Sequence, residues 1–208
     1  MQYTYVSDDF LHGGNVIRSI IDADRFDNLD EVTAYAKRNV NCLLDLGIQI
    51  NESVENIVED LLMCPEDMLL GADGYLMTGY ILSSISSPQL YIFDMEGSSY
   101  AEILEASANL SDGEICIENV IQENDDSAEY GVRIIFTCNG VDKIFIPRCD
   151  MGWIDVTVLS LINEDLTKKG SNKCLIFGQS AQMCYISFQT EEWMNRLNGL
   201  LPAKLCKL

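Results

Sequence analysis

The sequence lacks most of the residue patterns by which catalytic and cofactor sites are recognised. It has a single histidine, His12, so a histidine-dependent nucleophile would have to use that one residue. It contains no C-x-x-C pair, no G-x-x-x-x-G-K phosphate loop and no G-x-G-x-x-G fingerprint. The nearest approach to a G-x-S-x-G elbow, at residues 178–182, lacks the last glycine, and no histidine follows it. We therefore expect no catalytic residue, no cofactor and no metal site.

Lysine and arginine are absent from the 94 residues between Arg38 and Arg133, which we call the base-free segment. This segment holds 19 of the 33 acidic residues of a chain whose net charge is −20. From Arg133 onward the chain is nearly balanced, with nine bases and seven acids. Nucleic acid requires a basic footprint, so we expect no direct nucleic-acid binding. The charge favours a cationic partner instead.

No apolar run of the sequence predicts a membrane span or a secretory signal. Residues 74–93 are uncharged, but they include serines, a threonine, a glutamine and a Ser-Pro turn, which are costly in hydrocarbon. The first residues have neither the basic region nor the apolar stretch of a signal peptide. Eight cysteines are spread singly through apolar surroundings, as free buried cysteines are. We expect a cytoplasmic protein that does not enter the membrane.

Helix signals dominate the first part of the chain. Asn28 and Glu31 form a capping-box pattern before an apolar stripe, and Gly47 can end that helix. A second amphipathic helix is predicted from Asn51, and a third, buried helix follows Asp73. Residues 1–87 are therefore predicted to be a mainly helical, acidic part.

Strand signals dominate residues 88–208. Asn139-Gly140 predicts a type I′ turn between two strands. Helices are predicted from Ser99, across Trp153 to Leu166, and after Thr190. Strands are predicted at residues 89–95, 115–122, 132–138, 141–147, 174–178 and 183–188. The fold class is α+β, a helical N-terminal part followed by a mostly antiparallel sheet with flanking helices, as two units or as one continuous domain.

The acidic second helix is the best candidate for a binding surface. It carries no interleaved lysine, so it lacks the Glu–Lys pairs that ordinarily support exposed helices. The residues predicted to contact a partner are Glu52, Glu55, Glu59, Asp60, Glu66 and Asp67. The leading hypothesis is a non-catalytic acidic binding protein, of the immunity or inhibitor type, that masks a basic partner such as a toxin or nuclease. Two alternatives stay open: a hydrolase-like enzyme with dispersed carboxylates, and an adaptor or assembly subunit with an apolar patch.

Overall fold

The computed structural model describes residues 26, 28–63, 74–148, 153–180, 183–201 and 204–208, which form an α+β fold. Six helices lie within these residues: α1 Leu29–Asp45, α2 Val54–Leu61, α3 Gly74–Ser84, α4 Tyr100–Leu110, α5 Val158–Lys168 and α6 Glu191–Leu200. The strands are β1 Tyr91–Asp94, β2 Ile117–Asn124, β3 Val132–Cys138, β4 Val141–Phe145, β5 Lys173–Ser180, β6 Met183–Thr190 and β7 Cys206–Lys207. The predicted fold class is confirmed.

The strands form two antiparallel sheets. The four-stranded sheet, which we call the central sheet, has the order β1-β6-β5-β7. The three-stranded sheet, which we call the hairpin sheet, has the order β2-β3-β4. In the central sheet β6 lies between β1 and β5, with Cys184 opposite Phe93 and Ile186 opposite Phe177. A strand from late in the chain therefore occupies the interior of the sheet.

Both faces of the central sheet are buried, because side chains alternate between the two faces of a strand. On one face, Ile176 and Tyr185 belong to a core that includes residues of α1, α2, α3 and α6. On the other face, Leu175, Phe177 and Ile186 belong to a second core, which includes residues of α4, α5 and the hairpin sheet. The fold is thus layered, and α2 and α4 lie on opposite sides of the central sheet.

Local capping and turn signals set several element boundaries where the sequence predicts them. Side-chain oxygens of Asn28, Ser99 and Thr190 each accept a hydrogen bond from a backbone N–H in the first turn of the helix that follows. Asn139 and Gly140 have φ of +52° and +79°, as a type I′ turn requires. These predictions are confirmed.

Two helices start later than the sequence predicts. Asn51 is held by a backbone hydrogen bond to the Ser86 carbonyl at 3.0 Å, so Ser53 becomes the N-cap of α2. Before α5, the Asp155 carboxylate accepts a hydrogen bond from the Thr157 backbone N–H at 3.0 Å. This local turn delays the start of α5 to Val158.

The uncharged stretch at residues 74–93 is divided between α3 and the first residues of β1. Among the described residues, no helix combines the length and the apolar character needed to cross a bilayer.

Candidate partner-binding surface

Helix α2 turns its apolar side into the core and its acidic side toward solvent. Ile57, Val58 and Leu61 are buried against α1 and α3. The exposed side carries the predicted contacts Glu55, Glu59 and Asp60. Glu55 and Glu59 are four residues apart and therefore lie on the same stripe of the helix. The structure thus leaves all three residues exposed to solvent and places Glu55 and Glu59 on one stripe of the helix.

The other three predicted contacts are placed differently. Glu52 precedes the Ser53 N-cap and is half-buried. Glu66 and Asp67 lie outside the described residues. The three exposed acids within the helix, Glu55, Glu59 and Asp60, form what we call the α2 acidic face.

The α2 acidic face has no basic counterpart in the described part of the chain. Within those residues, the base-free segment contributes only Glu123 and Asp125 to ion pairs, both with Arg133. The other described ion pairs join Lys143 to Asp165, Lys168 to Glu164 and Asp165, and Lys207 to Glu191. Three of the nine bases from Arg133 onward thus pair with acids of that same part, and Arg133 pairs with acids of the base-free segment.

Most of the remaining acids of the base-free segment are at the surface on the opposite side of the central sheet, whereas Asp45 is exposed on α1, on the same side as α2. Glu102 and Glu105 are exposed on α4. Others lie on the hairpin sheet or in its connections, and the exposed ones are Asp112, Glu114, Glu118, Asp126 and Glu129. No described acid of the segment is buried. The negative charge therefore forms at least two separate surfaces, divided by the central sheet.

A cleft of about 310 Å³ lies between α4 and the start of β1. Tyr91, Glu102, Glu105 and Asn109 supply its polar lining. Partial burial and the charges of Glu102 and Glu105 raise the pKa of Tyr91, so its phenol stays protonated at neutral pH. The cleft therefore presents two carboxyl groups and a protonated phenol to solvent.

The carboxyl groups of Glu102 and Asp125 have lowered pKa values. Hydrogen bonds from the backbone and side chain of Ser99 lower the pKa of Glu102, which completes the capping box of α4. Hydrogen bonds from the side chain and backbone of Ser127 lower the pKa of Asp125. A general acid needs the opposite shift, so neither carboxyl is suited to donate a proton near neutral pH.

The six described cysteines are free, and those in the core are poor nucleophiles. Burial raises the pKa of Cys184, and it raises the pKa of Cys206 to about 11. The pKa of Cys138 is raised by burial and by the nearby Asp165. The thiolate is the reactive form, so these side chains act as apolar packing groups. Among the described residues, no three His, Cys, Asp or Glu side chains are grouped to hold a metal ion.

We predict that Cys116, which is exposed, reacts with iodoacetamide at least about tenfold faster than the buried Cys138, Cys174 and Cys184. Peptide mapping by mass spectrometry after timed labelling of the native protein measures this. Labelling in guanidinium serves as the control, because there the four thiols should react at similar rates. Equal labelling of Cys116 and Cys184 in the native protein would contradict the burial of Cys184.

The outer face of the hairpin sheet carries residues that the sequence analysis did not single out. Ile121 lies opposite Ile135, and Ile135 lies opposite Ile144, so the three form one row across the strands. Ile121 is 50% exposed and Ile144 is 62% exposed, and Ile135 is half-buried. The sequence did contain a signal for this row, because apolar residues occupy adjacent positions in β3 and in β4. Adjacent residues of a strand point to opposite faces, so each pair puts an apolar side chain on both faces of the sheet.

Comparison with known proteins identifies no relative. No protein-family model, no curated protein and no solved structure matches the chain. The surfaces of the chain itself therefore carry the functional proposal.

Proposed function

We propose that the protein is a non-catalytic acidic binding protein of the immunity or inhibitor type, which covers a basic surface of a toxin or nuclease in the cytoplasm. The observation that supports this proposal is the α2 acidic face, whose carboxylates have no described basic partner. Such carboxylates can occupy a cationic cleft that otherwise holds substrate phosphates.

The last acids of α2 are not explained by the stability of the helix, although Glu55 in the first turn is favoured by the helix dipole. An exposed helix ordinarily gains about 0.2–0.5 kcal/mol for each Glu–Lys pair at i, i+4, and α2 has none. Repulsion between Glu55 and Glu59 opposes helix formation by a similar amount. The helix is held by the Ser53 cap, whose hydroxyl accepts from the Asn56 N–H at 3.1 Å, and by its buried apolar side. The charge is thus available for a partner.

The distribution of the other acids supports electrostatic steering. Salt screens charges beyond about 8 Å under physiological conditions, so only acids close to the contact strengthen the complex itself. The acids on the far side of the central sheet contribute to the long-range field at low salt. A basic partner is therefore attracted by the whole molecule and bound through one surface.

We predict that Glu55→Lys together with Glu59→Lys slows association with the basic partner at least about tenfold at low salt, because the local field is reversed. The partner is first captured from the source cell at low salt and identified by mass spectrometry, and association rates are then measured by stopped flow. Inhibition of the captured toxin or nuclease is assayed in parallel.

The matched control is Glu96→Lys together with Glu192→Lys, which makes the same change in net charge at exposed positions outside α2. We expect this control to slow association far less than the α2 variant. Equal slowing by both variants, or an association rate that does not change with salt, would count against the α2 acidic face as the contact.

A second candidate function is an adaptor or assembly subunit, and the exposed isoleucine row favours it. The salt dependence of the complex distinguishes the two candidate functions. An apolar complex persists at high salt, whereas a complex of acids with a basic partner dissociates.

A further inference from the structure

The outer face of the hairpin sheet combines an exposed apolar row with an acidic rim. Beyond the row Ile121, Ile135 and Ile144, the chain leaves β4 at Ile146, which is 47% exposed. The opposite face of the same sheet is packed in the core through Ile134, Phe136 and Phe145. A group of neighbouring exposed isoleucines on one sheet face is typical of an interaction surface rather than of isolated exposed residues.

The rim of this face is negative after its bases are counted. Within Ile117–Phe145 the acids are Glu118, Glu123, Asp125, Asp126, Glu129 and Asp142, and the bases are Arg133 and Lys143. Arg133 binds Glu123 and Asp125, and Lys143 binds Asp165 from the opposite side of the sheet. The acids that remain without a described basic partner are Glu118, Asp126, Glu129 and Asp142.

The acids flank the isoleucine row in register. Glu118 and Asp142 both lie opposite Thr137, one row away from Ile135. The Asp142 carboxylate also accepts a hydrogen bond from the Thr137 hydroxyl at 2.9 Å, which holds it on this face. On the other side of the row, Glu123 lies opposite Arg133. An apolar segment seated on the row would therefore place its flanking side chains beside carboxylates on the Thr137 side of the row, and beside the Glu123–Arg133 ion pair on the other side.

We propose that the outer face of the hairpin sheet docks a segment of a basic protein partner in which apolar side chains alternate with lysine or arginine. The apolar side chains cover Ile121, Ile135 and Ile144, and the basic ones reach Glu118, Asp142 and the acids of the β2–β3 connection. This inference rests on the proposed function in one respect, that the partner is basic, and it adds a second contact surface.

Charge decides against a second copy of the chain as the occupant. Two copies would bring two acidic rims together, and each molecule carries a net charge of −20. Like charges placed opposite each other across an interface suppress association. A basic segment instead neutralises the rim while it covers the isoleucines.

The test is a titration of the full chain, with isoleucine methyl groups labelled for NMR, against a short peptide in which lysine and valine alternate. We expect shifts of the Ile121, Ile135 and Ile144 methyl signals. A peptide in which lysine and serine alternate has the same charge and should bind about tenfold more weakly, because it covers no apolar surface.

The decisive variant is Ile144→Thr, and its matched control is Val141→Thr on the same strand. Val141 is 54% exposed but points to the opposite face, so both variants introduce a hydroxyl at an exposed apolar position of β4. We expect Ile144→Thr to weaken binding of the lysine–valine peptide several-fold, and Val141→Thr to leave it unchanged.

Three outcomes would overturn the inference. Equal binding of the two peptides with no shift at the isoleucine methyls would leave only general attraction of cations, and the proposed function would stand. Equal weakening by both threonine variants would show that the outer face is not the contact. Concentration-dependent shifts of the same methyls without peptide would identify a second copy as the occupant.

Discussion

Replacement of Gly178 with alanine is expected to lower the free energy of unfolding by about 3 kcal/mol, because the new Cβ has no room. It would lie 2.0 Å from Cε2 of Tyr185 and 2.6 Å from Cδ2 of Leu205. Tyr185 is opposite Gly178 in the β5–β6 pairing and is only 1% exposed, so its ring cannot move into solvent. Guanidinium unfolding of the variant and the parent protein measures the difference.

Gly199→Ala is the control for the loss of a glycine. A Cβ at Gly199 meets nothing within 4 Å, and the residue lies exposed in the last turn of α6. Alanine is the better helix former, so we expect this substitution to raise the free energy of unfolding by up to about 1 kcal/mol. If Gly178→Ala unfolded at the same denaturant concentration as the parent, the packing of Tyr185 over β5 would be refuted.

The second large effect is expected for Asn163→Ala. This substitution should lower the free energy of unfolding by about 3 kcal/mol, because it leaves buried backbone groups without hydrogen-bond partners. The Asn163 Nδ2 donates to the carbonyls of Leu175 and Leu208 at 3.0 and 3.1 Å. Its Oδ1 accepts from the Leu175 N–H at 2.7 Å. β7 pairs with β5 at Ile176 and Phe177, so the Asn163 amide takes the place of a strand partner beside Leu175. Urea unfolding measures the loss.

Asn198→Ala removes a similar pair of hydrogen bonds, to the backbone of Leu205, from a side chain that is itself exposed. The Asn198 side chain donates to the Leu205 carbonyl and accepts from the Leu205 N–H, each at 2.8 Å. Because Asn198 is exposed, water can replace much of the lost hydrogen bonding. We therefore expect the free energy of unfolding to fall by about 1 kcal/mol. Equal losses for the two variants would show that burial of Asn163 is not the reason for its effect.

The features that the sequence predicted correctly are those fixed within a few residues. Asn28, Ser99 and Thr190 cap helices through bonds to the next turn, and Asn139-Gly140 closes a hairpin through its own backbone conformation. Strand β7 was not predicted. It has two residues, and it is a strand because β5 offers it an edge, which no local pattern shows.

The candidate surfaces were likewise predicted only where they depend on local geometry. The helical period predicted that Glu55 and Glu59 share a face, since this needs only the geometry of one helix. The separation of α2 from the acids of α4 depends on the order of strands in the central sheet. The isoleucine row was not predicted, because the sequence pattern of an apolar strand face is the same whether that face is buried or exposed.

The interior position of β6 sets the order in which the protein can be completed as it leaves the ribosome. β1 emerges early, but its partner β6 is made only after most of the chain, since Phe93 pairs with Cys184. Until β6 is made, the helices that precede β1 have no complete central sheet against which to pack their apolar sides. Nascent chains with such late, long-range pairing fold slowly and attract chaperones. The uncompensated carboxylates of the base-free segment would keep neighbouring nascent chains apart during that interval.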